Sequence, residues 1–268
     1  MRKTIAALCA ALCLLLASCG GGESPAPTST PAPTSAPTPT PSATVTPEPS
    51  PTPEAGPENP LTGLPIEEKW INARPVAVML NNLVAAQPQL GQSQADIIYE
   101  VLAEGGITRM LGVYQTVEGV GMIGSVRSAR TYYLELALGH DAVYLHAGGS
   151  PDAYDKIKAW NVTALDCVNG PYEGGAPGSN LFWRDAGRIK NNGKVHSVVT
   201  TGDTILERFP TYSFRQEHEE GYRYPQTFVE DGTPVGGESA GTVTVPFSNY
   251  KTGVFTYDAQ TGKYLVSQ

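Results

Sequence analysis

The chain has 268 residues, a formal net charge of −8 and four cysteines. An acidic chain with no run of Lys or Arg is poorly built to neutralise phosphate backbones, which excludes nucleic acid as a partner. The charge bears on solubility and says little about fold.

Residues 1–19 read as a bacterial export signal. Arg2 and Lys3 supply a positive start, and Ile5 to Ala17 form an apolar run too short for an ordinary membrane span. Leu16-Ala17-Ser18-Cys19 resembles the lipobox of bacterial lipoproteins. That resemblance implies cleavage before Cys19, a diacylglyceryl group on its sulfur, and a mature protein whose membrane partner is reached through lipidated Cys19. Cys9 and Cys13 leave with the signal, so Cys167 is the one free thiol and no intrachain disulfide is expected. Residues 20–57 are Pro, Thr, Ser, Ala and Gly with more than half of the 23 prolines. Such a stretch buries too little apolar area to offset its ordering entropy and reads as a disordered, semi-extended spacer.

The folded part begins near Glu58. Pro75-Val76-Ala77-Val78-Met79-Leu80 is a continuous apolar run with β-branched members, as expected of a strand buried on both faces. Ala95–Ala103 and Met110–Tyr114 flank Glu104-Gly105-Gly106-Ile107, which reads as a β-hairpin. Asp96, Glu100 and Glu104 recur every four residues and are expected on one face. Ile123-Gly124-Ser125-Val126-Arg127-Ser128 leads to a helix predicted over Ala129–Leu138, with Ser128 as N-cap and Gly139 as stop. Asp141–His146 reads as a third buried strand. Gly148-Gly149 turns the chain, Ser150 caps a helix, Pro151 takes its first position and Asp152 suits its positive end. That helix should run to about Trp160.

Asn161–Asn192 reads as loop-rich, Val195–Val199 as a strand and Asp203–Phe209 as a short helix. The alternation predicts an α/β fold, a layered α/β domain with a mixed sheet over residues 58–210. From 211 to 268 the chain turns to Tyr, Thr, Val and Gly, which predicts a partial β-rich domain. Thr242–Phe247 and Gly253–Tyr257 read as strands. Lys263–Val266 should pair with the second of these around Asp258–Gly262, and the chain stops within that strand. Val254, Tyr257 and Leu265 then lack apolar partners, so this segment is expected to be less ordered than Ala95–Trp160 and to make few contacts with it.

RPVAVMLNN, QPQLGQSQADIIYEVLAEGGITRMLGVYQ, IGSVRSAR and DAVYLHAGGSP together resemble the N-terminal domain of the YerB-like bacterial lipoproteins, over roughly Asn59 to Thr201. The resemblance implies a surface-anchored protein of unestablished biochemical role, with a second β-rich domain of which Val243–Gln268 resembles the beginning. Two positions depart from the family pattern. Asn81 stands where the family usually carries Asp, and Lys194–Val198 replaces a Pro-His-Asn-Leu-Tyr run, keeping only His196. A weaker resemblance is to the LytR-CpsA-Psr phosphotransferases, on the order Asp96, Arg127, Gly148-Gly149; it implies phosphotransfer from a lipid-linked glycan pyrophosphate.

The chemistry concentrates between Ala95 and Ser150. Arginine binds phosphate and carboxylate bidentately, and Arg127 and Arg130 stand at a predicted helix start, where a cation opposes the helix dipole. They either pair with Asp96, Glu100 or Glu104, or bind an anion. His146, Gly148, Gly149 and Ser150 form a strand-to-helix turn of the kind that offers backbone N–H groups to anions. Arg109, Arg184, Arg188 and His196 are secondary candidates, and Glu104 a third carboxylate. No P-loop, HExxH, paired CxxC or GxSxG is present. The first expectation is therefore a tethered domain that binds an anionic envelope ligand or a partner protein, with no cofactor. An alternative is Mg²⁺-dependent phosphotransfer with Asp96 or Glu100 on the metal and Arg127 on the phosphates. A third is a surface scaffold without catalysis.

Overall fold

The computed structural model describes residues 56–229, 232, 233 and 235–267. The export signal, Cys19 and nearly all of the proline-rich segment lie outside the described residues.

Strand β1 (Val76–Leu80) is buried along its whole length, as its unbroken apolar run requires. It pairs antiparallel with β3 (Thr108–Tyr114) and parallel with β5 (Val143–His146). Strand β2 (Ile97–Leu102) closes the hairpin with β3, and β6 (Ala164–Asp166) extends the other edge parallel to β5. The result is a mixed five-stranded sheet in the order β2-β3-β1-β5-β6.

Alternation along the strands divides the core. Ala77, Met79, Leu111, Val113 and Tyr144 face helices α1 (Thr131–Gly139) and α2 (Pro151–Ala159), meeting Tyr133, Leu134, Ala137 and Ala153. Val76, Val78, Leu80, Met110 and Leu145 face the opposite way. There they meet Ile123 of β4 (Met122–Gly124), Val198 of β8 (Val198–Thr201), and Ile205 of helix α4 (Gly202–Arg208). Strand β7 (Trp183–Arg184) completes a second sheet, β4-β8-β7, and helix α3 (Ala186–Asn192) follows it. Each fully buried large aliphatic side chain in these layers contributes about 2 kcal/mol. The architecture is the layered α/β domain with a mixed sheet that the alternation of elements predicted.

Two local expectations change and a third gains detail. Helix α1 starts at Thr131 with Arg130 at its N-cap, and no side chain caps it. Residues 126–129 are instead claimed as extended backbone. Arg127 N–H donates to Met79 O, Arg127 O accepts from Ala147 N, and Ala129 N–H donates to Gly148 O. The segment is thereby wedged where β1 and β5 diverge. The loop-rich stretch Asn161–Asn192 also holds β6, β7 and α3, which the sequence did not single out. The two strands are too short to show a period, and Asp185, whose carboxylate accepts from Arg188 N, caps α3. Lys194–His196 is a 3₁₀ turn ahead of β8 rather than part of it, and its carbonyls are taken by arginine side chains instead of a neighbouring strand.

Residues 212–224 lie against the α/β layers instead of joining a β domain. His218 Nδ1 is 2.8 Å from Asp141 Oδ2, and Arg215 grips Asp141 with both terminal nitrogens at 2.8 Å. The His218 ring stacks on Tyr222 at 3.9 Å and meets Tyr224 edge-on.

Strands β9 (Thr242–Ser248), β10 (Lys251–Asp258) and β11 (Lys263–Ser267) form a third, antiparallel sheet, with the expected hairpin between β10 and β11. Tyr257, Leu265 and Val266 remain exposed on it. The sheet touches the central region at a few points. Ser248 Oγ donates to Gly106 O, and Lys251 Nζ stands 3.5 Å from Glu100 Oε1. Among the described residues no helix is long and apolar enough to cross a membrane.

A candidate anion site at one end of the central sheet

Parallel strands of an open α/β sheet present ligands at their carboxyl ends. Here the carboxyl ends of β1, β2, β5 and β6 and the start of β3 lie together, as the pairs Leu80–Met110, Leu102–Thr108 and His146–Asp166 require. Glu100, Glu104, Arg109, Arg127, Arg130, His146 and Gly148 all belong to this end. Asp96 does not. It opens β2, where its carboxylate accepts from Gln115 N at 2.6 Å and Asn59 Nδ2 at 2.8 Å. Burial raises its pKa against those two bonds. Four residues of strand put it about 13 Å from Glu100.

The three carboxylates therefore do not meet at one point. Glu100 points to the side of the sheet away from α1 and accepts from Asn82 Nδ2 at 2.9 Å and from the Thr108 hydroxyl at 2.5 Å. Glu104 sits in the hairpin turn and pairs bidentately with Arg130, the longer bond being 3.0 Å. That pairing, followed by the nearby charges, holds the Glu104 carboxyl below its usual range. Arg109 is buried, donates to Ser128 O at 3.0 Å and lies 3.7 Å from the same Glu104.

Arg127 is different. It makes one side-chain hydrogen bond, from Nη1 to Val195 O at 2.7 Å. Its Nε is buried without a partner, and among the described residues no carboxylate lies within 4 Å of it. Burial, then the positive charges of Arg109 and Arg130, push its pKa down. With Arg184, Lys194, Ala147 and Val168 it lines a cleft of about 270 Å³.

The glycine turn does not serve as a free anion cradle. Gly148, at φ +76°, directs its N–H to Asp166 Oδ1 at 2.7 Å, and Val168 N–H donates to the same oxygen at 2.8 Å. The turn holds the protein's own carboxylate. His146 is 1 % exposed, and its Nδ1 donates to Gly148 O at 2.8 Å. Burial lowers its pKa, so the ring is a neutral core group. Ser150 caps α2 as expected, accepting from Ala153 N. These residues shape the wall of the cleft through Ala147, and their polar atoms are engaged inside the fold.

The secondary arginines are also engaged. Three successive carbonyls each accept from a different guanidinium: Lys194 O from Arg184 at 2.9 Å, Val195 O from Arg127, and His196 O from Arg188 at 2.9 Å. Arg188 is buried and donates further to Ala86 O and Pro88 O. Arg184 also pairs with Glu173 at 2.8 Å.

One contact was not foreseen. Asn81, at the end of β1, meets His196 with Nδ2 2.9 Å from Nδ1. An amide NH₂ only donates, so Nδ1 of His196 accepts and its proton sits on Nε2. Burial, then Arg127 and Arg188, lower its pKa. Asn81, which departs from the family pattern, is thus in contact with the one histidine retained from the altered Lys194–Val198 run. Asp166 was likewise missed, because it lies in a loop-rich stretch with no motif around it.

Residues 61–215 match the family model described as "Protein of unknown function (DUF3048) N-terminal domain". The chain is 44% identical over 229 residues to the "Putative lipoprotein YerB" of Bacillus subtilis (strain 168), across 78% of this chain and 64% of that protein. The crystal structure of the YerB protein from Bacillus subtilis superposes with a TM-score of 0.63 and 31% identity, over 78% of this chain and 66% of that one. The chain thus spans just under two thirds of the length of these relatives. The likeness seen in the strand, hairpin and glycine-turn motifs is borne out over most of the described residues, and the chain belongs to the DUF3048 family, among whose members is a protein named as a lipoprotein.

Proposed function

We propose that this chain is a lipid-anchored protein of the bacterial envelope that binds an anionic group of an envelope component or partner protein at the Arg127 cleft. One observation carries the reading. Arg127 is left with a buried, unpartnered Nε among Arg109, Arg130, Arg184 and Lys194, while the nearby carboxylates are spent on other arginines. A guanidinium in that state gains hydrogen bonds and loses repulsion when an anion enters. The Cys19 lipobox and the name of the relative support the anchor.

The phosphotransfer alternative asks for Asp96 or Glu100 beside Arg127. Asp96 opens β2 at the far end of the strand, and Glu100 is engaged by Asn82, Thr108 and Lys251, so the geometry favours binding. Calorimetry with inorganic pyrophosphate tests the choice. The parent chain should bind it saturably. Arg127→Gln, which keeps a donor for Val195 O, should weaken binding at least tenfold. Equal binding by the variant would sink the reading, and binding that needs both Mg²⁺ and Glu100 would favour phosphotransfer. If neither pyrophosphate nor isolated envelope fragments bind, the scaffold role remains, for crosslinking on living cells to address.

A further inference from the structure

A larger cleft, about 720 Å³, opens between the β9-β10-β11 sheet and the segment that follows β1. Its volume falls inside the range of about 300–1,000 Å³ usual for small-ligand sites. Its walls carry Asn82, Gln87, Gln92, Thr108, Tyr250 and Lys251. The one cation there, Lys251, stands 3.5 Å from the Glu100 carboxylate, so the cleft has no net charge to select an ion.

Its polar groups are amides and hydroxyls. The Gln92 Oε1 is buried and accepts no hydrogen bond among the described residues. An unpaired buried acceptor costs about 1–3 kcal/mol, which a donor from a ligand would recover. Tyr250 is 84 % exposed, an unusual position for a large aromatic ring. The ring is also held in place. A Cβ on Gly106, at φ +78°, would stand 2.9 Å from Tyr250 Cδ2, so one part of the ring packs on the glycine backbone. Ser248 Oγ fastens the same turn through Gly106 O. A supported ring with its remaining surface bare, above amide side chains that both donate and accept, suits a ligand with C–H faces and many hydroxyls.

We propose that this cleft is a second binding site, separate from the Arg127 cleft, for a neutral oligosaccharide. The sugar stacks on Tyr250 and exchanges hydrogen bonds with Gln92 and its neighbours.

The test is calorimetry of the full chain with two neutral probes, chitotriose and cellotriose, and with hexa-alanine as an uncharged peptide. At least one trisaccharide should bind. Tyr250→Ala and Gln92→Ala should each weaken it at least fivefold. Tyr250→Phe, which keeps the ring, should stay within twofold of the parent. Arg127→Gln should leave sugar binding unchanged, so the two sites fail or survive separately. No heat with either sugar overturns the proposal, as does binding indifferent to Tyr250→Ala, or binding of hexa-alanine alone.

Discussion

Asp166 Oδ1 accepts the Gly148 amide at 2.7 Å, so the turn after β5 is closed around a carboxylate from β6. Burial opposes the charge on Asp166. The amides of Gly148 and Val168 and the Tyr154 hydroxyl outweigh it and hold the pKa below the usual carboxylate value. Asp166→Ala leaves these donors unpaired and should cost about 3 kcal/mol of stability. Phosphate should then occupy the vacated place. At ten times its dissociation constant it recovers about 1.4 kcal/mol. Thermal melts of parent and variant with and without phosphate check both points; a variant that phosphate does not stabilise would refute the anion-like role of Asp166.

All four histidines have pKa values pushed down from 6.5, with burial as the first cause in each. A histidine depressed in the folded state binds its proton more readily when unfolded. Its stabilising effect is complete above pH 6.5 and is lost as pH falls toward the folded value. Each contributes at most about 1.4 kcal/mol per pH unit in that window. Urea midpoints should therefore fall from pH 6.5 toward pH 5. His218→Gln should flatten the fall, because the buried His218 Nε2 has no acceptor for a second proton. A flat profile for the parent would contradict the neutral assignment.

Asn81 fixes the His196 tautomer by donating to Nδ1. Asn81→Asp replaces that donor with a carboxylate, which favours a proton on Nδ1 and raises the histidine pKa. Nitrogen NMR of the imidazole should show Nε2–H in the parent and a switch to Nδ1–H or a doubly protonated ring in the variant. An unchanged spectrum would mean that the pair does not set the tautomer.

Arg188 donates to Ala86 O, Pro88 O and His196 O from a buried position. Three carbonyls at fixed angles need the planar fork, which lysine does not have. Arg188→Ala and Arg188→Lys should both destabilise, by about 3 kcal/mol for alanine. Denaturant titration measures it, and a lysine variant as stable as the parent would show that charge alone suffices.

Much of the fold is legible where local chemistry and tertiary role agree. The apolar run of β1, the Glu104-Gly105-Gly106 turn and the Ser150-Pro151 helix start each carry their own signal. The start of α1 is not legible, because backbone bonds to Met79, Ala147 and Gly148 keep residues 126–129 extended, against the capping pattern of Ser128. The candidate site divides the same way. Arg127 stands out by composition, yet only the fold shows that Arg130 is neutralised and Arg127 is not. A four-residue spacing placed Asp96, Glu100 and Glu104 on one face. The strand separates the first two along its length, and the turn sends the third to Arg130.

The row of carbonyls at Lys194, Val195 and His196 is held by guanidinium groups, whose charge persists across the whole range of habitable acidity. The clasp of residues 212–224 depends on Asp141 and His218, which titrate. A drop in pH therefore acts on the clasp through both members of its Asp141–His218 pair, and on the carbonyl row only through the His196 imidazole. As acidity rises, the Tyr222 side is where the molecule loosens, while the guanidinium groups around Arg127 keep their charge.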